Sequence, residues 1–450
     1  MMLSDLAKHL GVTCAFDEVI FSGVKTDSRA VVPGDFFVAL QGPQYDGHDF
    51  LSQAKAKGAV AVLVSKPIQI DLPFLMVEHT LPAFGRVGHF FRSQVKCPVI
   101  ALTGTCGKTT VRTMLAHILS QFGPTLSNAE NHNNQIGVPQ TLVRLNAEHC
   151  FAVVECGTDH HGEIPALSAI VEPDVALITN VDAGHLDGLG SIEQVLKEKS
   201  ALLGGLKHQG FAILNADQPY LNDMKKHLLG DQKVITFGVS HEAEVRATDV
   251  RLGKWGCAHF MLSLRGRPEG EIQLTLPGEH QIANALAAVA VCVSLGLALD
   301  KVRKALSSVP QVPGRLVMRK GLHGSLVLDD AYNAGPRSFE AALKVLAASP
   351  GKHMLVMGEM RELAEEGERY HRKVGEMALS LGVDRLLAYG DLCRHTVSAF
   401  GQGAEYFETR ESMLSSLTAM VQEGWTLLIK GSFSTKMSEI VEAILAKDEI

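Results

Sequence analysis

Residues 97–110 read Cys-Pro-Val-Ile-Ala-Leu-Thr-Gly-Thr-Cys-Gly-Lys-Thr-Thr, and the chemistry of the chain is concentrated at the end of that string. Gly104 and Gly107 allow backbone N–H groups to converge on phosphate oxygens. Lys108 can reach the outer phosphates, Thr109 can hold magnesium, and the start of a following helix adds partial positive charge. Thr103, Thr105 and Thr110 belong to the same turn. The spacing is the compressed form GxxGKT, because the longer phosphate-loop pattern wants a glycine where the chain has Leu102. Such a string grips a nucleotide triphosphate when a strand enters it and a helix leaves it. Both are predicted here. An apolar strand spans residues 98–103, and Val111, Met114, Leu115, Ile118, Leu119 and Phe122 recur on one helical face before Gly123 and Pro124 stop the run.

Other residues with chemical potential sit where strands end. Glu155 closes the apolar strand 151–155, and ligands of open parallel sheets gather at carboxyl ends of strands. It reads equally as a metal-holding carboxylate or a surface charge. His185 follows the strand 174–180, in a loop where a histidine is ordinarily only solvated. Ser191 and Gln194 form a capping box, and the helix they start carries Lys199 on the stripe of Ile192, Val195, Leu196, Leu202 and Leu203. A lysine directed inward has a lowered pKa, and its neutral amine can combine with carbon dioxide to give a carbamate. The alternative is a stem lying on apolar surface with the ammonium in water. Asn131, Asn133 and Asn134 read either as turn residues or as ligand-facing ones. The run His160, His161, Gly162, Glu163 excludes a zinc-protease reading, since adjacent histidines cannot share one helical face.

The elements that must position these groups come from the whole chain. At 450 residues it exceeds what one core usually organises. A net charge of −7 without a basic block excludes a nucleic-acid surface as the main partner and favours small ligands. Eight cysteines lie scattered without a C-x-x-C pair, as in reduced cytoplasmic thiols. No secretory leader pattern opens the chain, and the longest apolar run, 285–299, is alanine-rich and too short for a membrane span, so no membrane insertion is expected.

Three units follow, all α/β. Residues 1–95 mix short strands (59–64, 74–77) with helices and a turn-rich stretch at 33–42. Residues 96–313 alternate strands and helices, which implies a parallel sheet covered on both faces, with period-two segments between 245 and 276 adding an antiparallel edge. Val312, Pro313, Gly314 and Arg315 make a hinge, and residues 314–450 form a second doubly wound, Rossmann-like unit with strands at 325–329, 353–357, 384–389 and 425–430.

Taken together, these strings resemble the Mur ligases, the ATP-dependent amide-forming enzymes of peptidoglycan precursor synthesis, along nearly the whole chain. Thr26 to Arg29, Gly34 to Gly42 and Asp46 to Phe50 are similar to a uridine-nucleotide-binding region of that family. Asn131 to Pro139, Gly162 to Ile164, Asp330 to Ala334 and Gly358 to Leu363 lean toward its MurF-type branch. The resemblance implies that Thr103 to Thr110 serve ATP, that Thr109 holds one magnesium, and that Glu155 and His185 place a second beside a carbamylated Lys199. It implies Asn284 at adenine, Arg315 at the γ-phosphate and Asp330 at the ribose. It places Ser28, Arg29, Gly47, His48, Asn134 and Asn333 at substrates: UDP-MurNAc-tripeptide, and D-alanyl-D-alanine. A cytoplasmic monomer is expected. Cys156, Thr158, Asp159, Gly335, Glu359 and Phe433 depart from the usual pattern. A MurE-type ligase, a folylpolyglutamate synthetase and a nucleotide-binding regulator without ligase activity are the competing readings.

Overall fold

The computed structural model describes residues 1–446 except 17 and 43. It contains three sheets with helices against them. The first joins β1 (Gly23–Lys25), β2 (Asp35–Val38), β3 (Ala61–Val64) and β4 (Phe74–Met76), all parallel. Within 33–42, read from sequence as turn-rich, β2 forms a fully buried strand. Its run of Phe36, Phe37 and Val38 is too short to outweigh the flanking proline and glycines as a pattern, yet burial on both faces makes it central.

The central sheet comprises β5 (Val99–Thr103), β6 (Thr125–Ser127), β7 (Phe151–Glu155), β8 (Val175–Ile178), β9 (Phe211–Asn215), β10 (Lys233–Gly238), β11 (Val245–Leu252), β12 (Ala258–Leu264) and β13 (Arg267–Gln273). Their order is β13-β12-β11-β10-β9-β8-β5-β7-β6. From β6 to β11 neighbours run parallel, and β12 and β13 add the antiparallel edge. Every residue of β5 is buried, and alternate residues feed two cores. Ile100 and Leu102 pack with the helices Lys108–Ser120 and His280–Ser294; Val99 and Ala101 pack with the helix Glu163–Val171 on the other side. The alanines of 280–294 let that helix lie close to the sheet, which is why the long apolar run is a buried helix. The chain leaves β5 toward β6 and β7 and returns to set β8 on its other flank. This reversal opens a crevice at the carboxyl end of β5.

The third sheet runs β14-β15-β19-β16-β17-β18, from β14 (Val317–Lys320), β15 (Leu326–Asp330), β16 (Lys352–Gly358), β17 (Arg385–Tyr389), β18 (Ala404–Phe407) and β19 (Trp425–Lys430). Only β14 is antiparallel to its neighbour. Among the described residues no helix is long and apolar enough to cross a membrane.

Candidate active site at the phosphate loop

The turn after β5 sits at the mouth of a cavity of about 510 Å³ between the second and third sheets. Gly104 has φ +151°, and a Cβ there would lie 1.9 Å from Thr179 Oγ1; Gly107 has φ +82° and would meet Asn284 Oδ1 at 2.5 Å. Both positions therefore require glycine. Thr179 Oγ1 donates to the Cys106 carbonyl at 2.7 Å, and the Cys106 N–H donates to Asn180 Oδ1 at 2.9 Å, so the end of β8 shapes the loop. Lys108 Nζ donates to the carbonyls of Gly104 at 2.7 Å and Thr105 at 3.3 Å, and burial lowers its pKa.

Thr109 opens a chain of contacts across the crevice. Its Oγ1 lies 3.3 Å from Glu155 Oε1 and accepts from Arg315 at 3.0 Å. Glu155 is 1 % exposed. Asn133 donates to its Oε1 at 2.9 Å, Arg112 stands 3.6 Å from its Oε2, and Asn128 bonds both backbone groups of the residue. Arg315 lies over the Tyr332 ring at 4.5 Å, and Tyr332 in turn faces Phe433 with ring centroids 5.9 Å apart. At the carboxyl ends of β15 and β19, Lys430 Nζ donates to Asp330 Oδ2 at 2.6 Å. Burial raises the Asp330 pKa in spite of that lysine.

His185 begins a short helix with φ +57°. Its Nδ1 stands 2.9 Å from both Asp159 Oδ1 and Glu362 Oε2, neither in line for a hydrogen bond. Burial opposes its charge, but the two carboxylates outweigh burial and raise its pKa. Among the described residues, Asp159, His185 and Glu362 offer donor atoms within 4.8 Å of one another, close enough to share an ion. Glu155 is outside that group. Lys199 is 0 % exposed, with no hydrogen-bond partner for Nζ, and burial first and Lys108 second lower its pKa to about 7. Of the two placements open from sequence, the inward one is what the fold contains.

Of the sequence candidates, Thr105, Gly107, Lys108, Thr109, Thr110, Asn134, Glu155, His185, Asn284, Arg315, Asp330 and Asn333 line this cavity. Asn134 Oδ1 accepts from the N–H groups of Ile136 and Gly137, and Asn284 donates to Gln281 at 2.8 Å. Thr103, Gly104 and Lys199 are not among the residues that line the cavity. Ser28, Arg29, Gly47 and His48 belong to the first unit, where Ser28 bonds Gln53, Arg29 pairs with Asp27, and a Cβ on Gly47 would strike Ala39. Both His48 nitrogens are engaged, with Asp46 at 2.6 Å and the Ser65 N–H at 3.0 Å. Sequence reasoning missed Lys430, Arg112 and Glu362 as site residues. Lys430 carried a usable signal, a polar residue ending an apolar strand, and Glu362 lies in the Gly358–Leu363 string that bears the family resemblance; Arg112 on the loop helix carried none.

Comparison with known proteins agrees with this geometry. The family models for the Mur ligase family catalytic domain, the Mur ligase middle domain and the Mur ligase glutamate ligase domain match residues 20–122, 102–292 and 314–433. The UDP-N-acetylmuramoyl-tripeptide--D-alanyl-D-alanine ligase of Escherichia coli K12 is 42% identical over 446 residues, 98% of each chain. A crystal structure of MurF from Acinetobacter baumannii superposes with TM-score 0.89 at 33% identity, covering 98% of both chains. MurF from Thermotoga maritima, solved with ADP, shares the fold at TM-score 0.83 and 24% identity, covering 95% of this chain and 98% of its own. The chain belongs to the Mur ligase family.

Proposed function

We propose that this chain joins the amino group of D-alanyl-D-alanine to the terminal carboxylate of UDP-N-acetylmuramoyl-tripeptide, converting ATP to ADP and phosphate, in peptidoglycan precursor synthesis. The observation that carries this reading is a glycine-constrained phosphate loop whose Thr109 meets Arg315 of the opposite unit at 3.0 Å, in a chain similar along its length to ligases named for this reaction.

A carboxylate and an ammonium do not condense at neutral pH, because the carboxylate oxygen is a poor leaving group. Attack of that oxygen on the γ-phosphorus of ATP breaks the bond to ADP and gives an acyl phosphate. The unprotonated amine of the dipeptide then adds to the acyl carbon, and collapse of the tetrahedral intermediate expels phosphate. Lys108 and Arg315 stabilise the charge spreading over the transferred phosphoryl group. Asn284 faces the adenine and Asp330, held by Lys430, the ribose.

Thr109, Glu155, His185 and Lys199 would hold magnesium. The fit is supported by Glu155 Oε2, His185 Nδ1 and Lys199 Nζ, buried without hydrogen-bond partners. Bound ions would neutralise phosphate charge. At a pKa of about 7 much of Lys199 is a neutral amine at physiological pH, and carbamylation would change a buried cation into an anionic ligand. Residues 1–95 bind the uridine nucleotide through Ser28, Arg29 and Gly47, with His48 fixing their loop. Residues 96–313 hold ATP, and 314–450 close over it with Asn333 toward the acceptor and exclude water. Asn134 approaches the tripeptide end. The protein acts as a monomer in the cytoplasm. Phosphate release, measured with UDP-MurNAc-tripeptide in the presence and absence of D-alanyl-D-alanine, tests the reading. Release should require both substrates, and release indifferent to them overturns it.

A further inference from the structure

Asp159 and Glu362 reach His185 from different parts of the molecule. Asp159 follows β7 in the central unit, and its N–H donates to Glu163 Oε2 at 2.7 Å. Glu362 belongs to the loop after β16 in the third unit, where the neighbouring Arg361 N–H is tied to Ser432 at 2.8 Å. Two bonds between the units set this loop against the His185 segment: the Leu186 N–H donates to the Glu362 carbonyl at 2.9 Å, and the Ala364 N–H to Asp187 Oδ1 at 2.6 Å. Glu362 itself has φ +65°, a left-handed conformation that a glutamate adopts only when its surroundings impose it.

The result is two carboxylate oxygens aimed at one ring nitrogen, each 2.9 Å away. An imidazole nitrogen carries at most one proton and can serve one acceptor well, whereas here neither contact is in line and Nδ1 is buried without a hydrogen bond. Lys199 Nζ is likewise fully buried and unpartnered. One imidazole nitrogen and two carboxylate oxygens, partly open to solvent that can complete the coordination, form a donor set for magnesium- or manganese-like dications.

We infer that Glu362 joins Asp159 and His185 as a ligand of a divalent cation, so that the ion fastens the third unit onto the central one. The inference shares its ion with the ligase reading at His185, and adds to it a ligand from the closing unit and one from the loop after β7. A cation that binds the closed arrangement better than the open one shifts the population toward closure by its differential affinity.

Manganese titration of the full-length protein without nucleotide, followed by electron paramagnetic resonance and small-angle scattering, tests this. The wild type should bind Mn²⁺ with spin-echo modulation from an imidazole nitrogen, and its radius of gyration should fall on binding. Glu362→Gln and Asp159→Asn should each weaken Mn²⁺ binding at least tenfold, and Glu362→Gln should lose the compaction. Both side chains are more than half exposed, so neither change threatens folding. Wild-type affinity in Glu362→Gln, or equal compaction in both proteins, overturns the inference. The ligase reading stands or falls separately, on substrate-dependent phosphate release by the wild type.

Discussion

Lys199 has a stability consequence that needs no substrate. Its pKa moves from 10.5 in the unfolded chain to about 7 in the fold, first by burial and then by Lys108. Between those values the unfolded chain holds a proton that the folded one has released, so stability rises with pH across that window, and the full cost of burying the lysine is present below pH 7. Lys199→Met in carbon-dioxide-free buffer should stabilise the protein by something on the order of 1–3 kcal/mol near pH 7, with the gain fading toward pH 10. Denaturant titrations at the two pH values read this directly, and the same variant should have no ligase activity. Lys430 behaves oppositely. Its removal leaves the buried Asp330 with only the Leu316 N–H as a hydrogen-bond donor, so Lys430→Met should cost about 3 kcal/mol in the same titrations. That loss should deepen as pH rises above the ordinary carboxyl range, because a carboxyl with a raised folded pKa keeps a proton that the unfolded chain gives up. The two lysines also differ in legibility. Lys199 lay on an apolar helical stripe and its inward placement could be weighed from sequence, whereas the partner of Lys430 is 100 residues away and only the pairing of β15 with β19 brings them together.

The unit that matters most among the elements is β5, its turn and the helix Lys108–Ser120. It was legible because five successive buried residues end in glycines and give way to a one-face helical stripe. The reason for those glycines was less visible, since it lies elsewhere in the chain: Thr179, the residue after β8, stands behind Gly104, and the helix His280–Ser294 supplies Asn284 behind Gly107. Gly104→Ala should therefore displace Thr179 and the Cys106 carbonyl it holds, costing roughly 1–3 kcal/mol in stability and raising the KM for ATP well above wild type. Removing the Thr179 hydroxyl as well should recover part of the stability, measured in a double-mutant cycle, and strict additivity would show that the clash is not the cause. Strands escaped sequence reading where pattern is weakest. β2 was hidden between turn residues, and β14 and β18 are short edge strands with mostly half-buried residues, so no clear alternation marks them.

Over the whole molecule, the three-part α/β plan and the hinge at 312–315 were readable from the sequence, but the side-chain contacts that seat the parts on one another were not, because they pair residues far apart in the chain. Arg92 is one joint of the first unit. It ends the helix Thr80–Ser93 and is 1 % exposed. Its guanidinium donates to the carbonyls of Val171 and Glu172, both at 3.0 Å, and to Asp174 Oδ2 at 2.7 Å, all in the central unit. Asp174 also accepts from the Val99 N–H at 2.9 Å, so the same carboxylate positions the start of β5. On that helix, Gly88 would bring a Cβ within 3.0 Å of Pro139 Cα, which marks a close approach between the units that a larger residue would pry open. Arg92→Met keeps much of the volume and removes the charge, leaving two carbonyls and Asp174 short of their donor in a buried joint. Asp174 is partly exposed and keeps the Val99 N–H and Lys207, so the cost is that of charge-assisted hydrogen bonds, about 1.5–3 kcal/mol, and it falls on the contact between units. Calorimetry should then resolve an early transition for the first unit ahead of the rest, where the wild type melts with the two coupled. In steady-state kinetics the KM for the uridine-nucleotide substrate should rise severalfold while that for ATP stays close to wild type, because the phosphate loop and Arg315 lie beyond the joint. Equal increases in both KM values would mean that Arg92 acts through β5 on the ATP crevice instead of through the seating of the first unit.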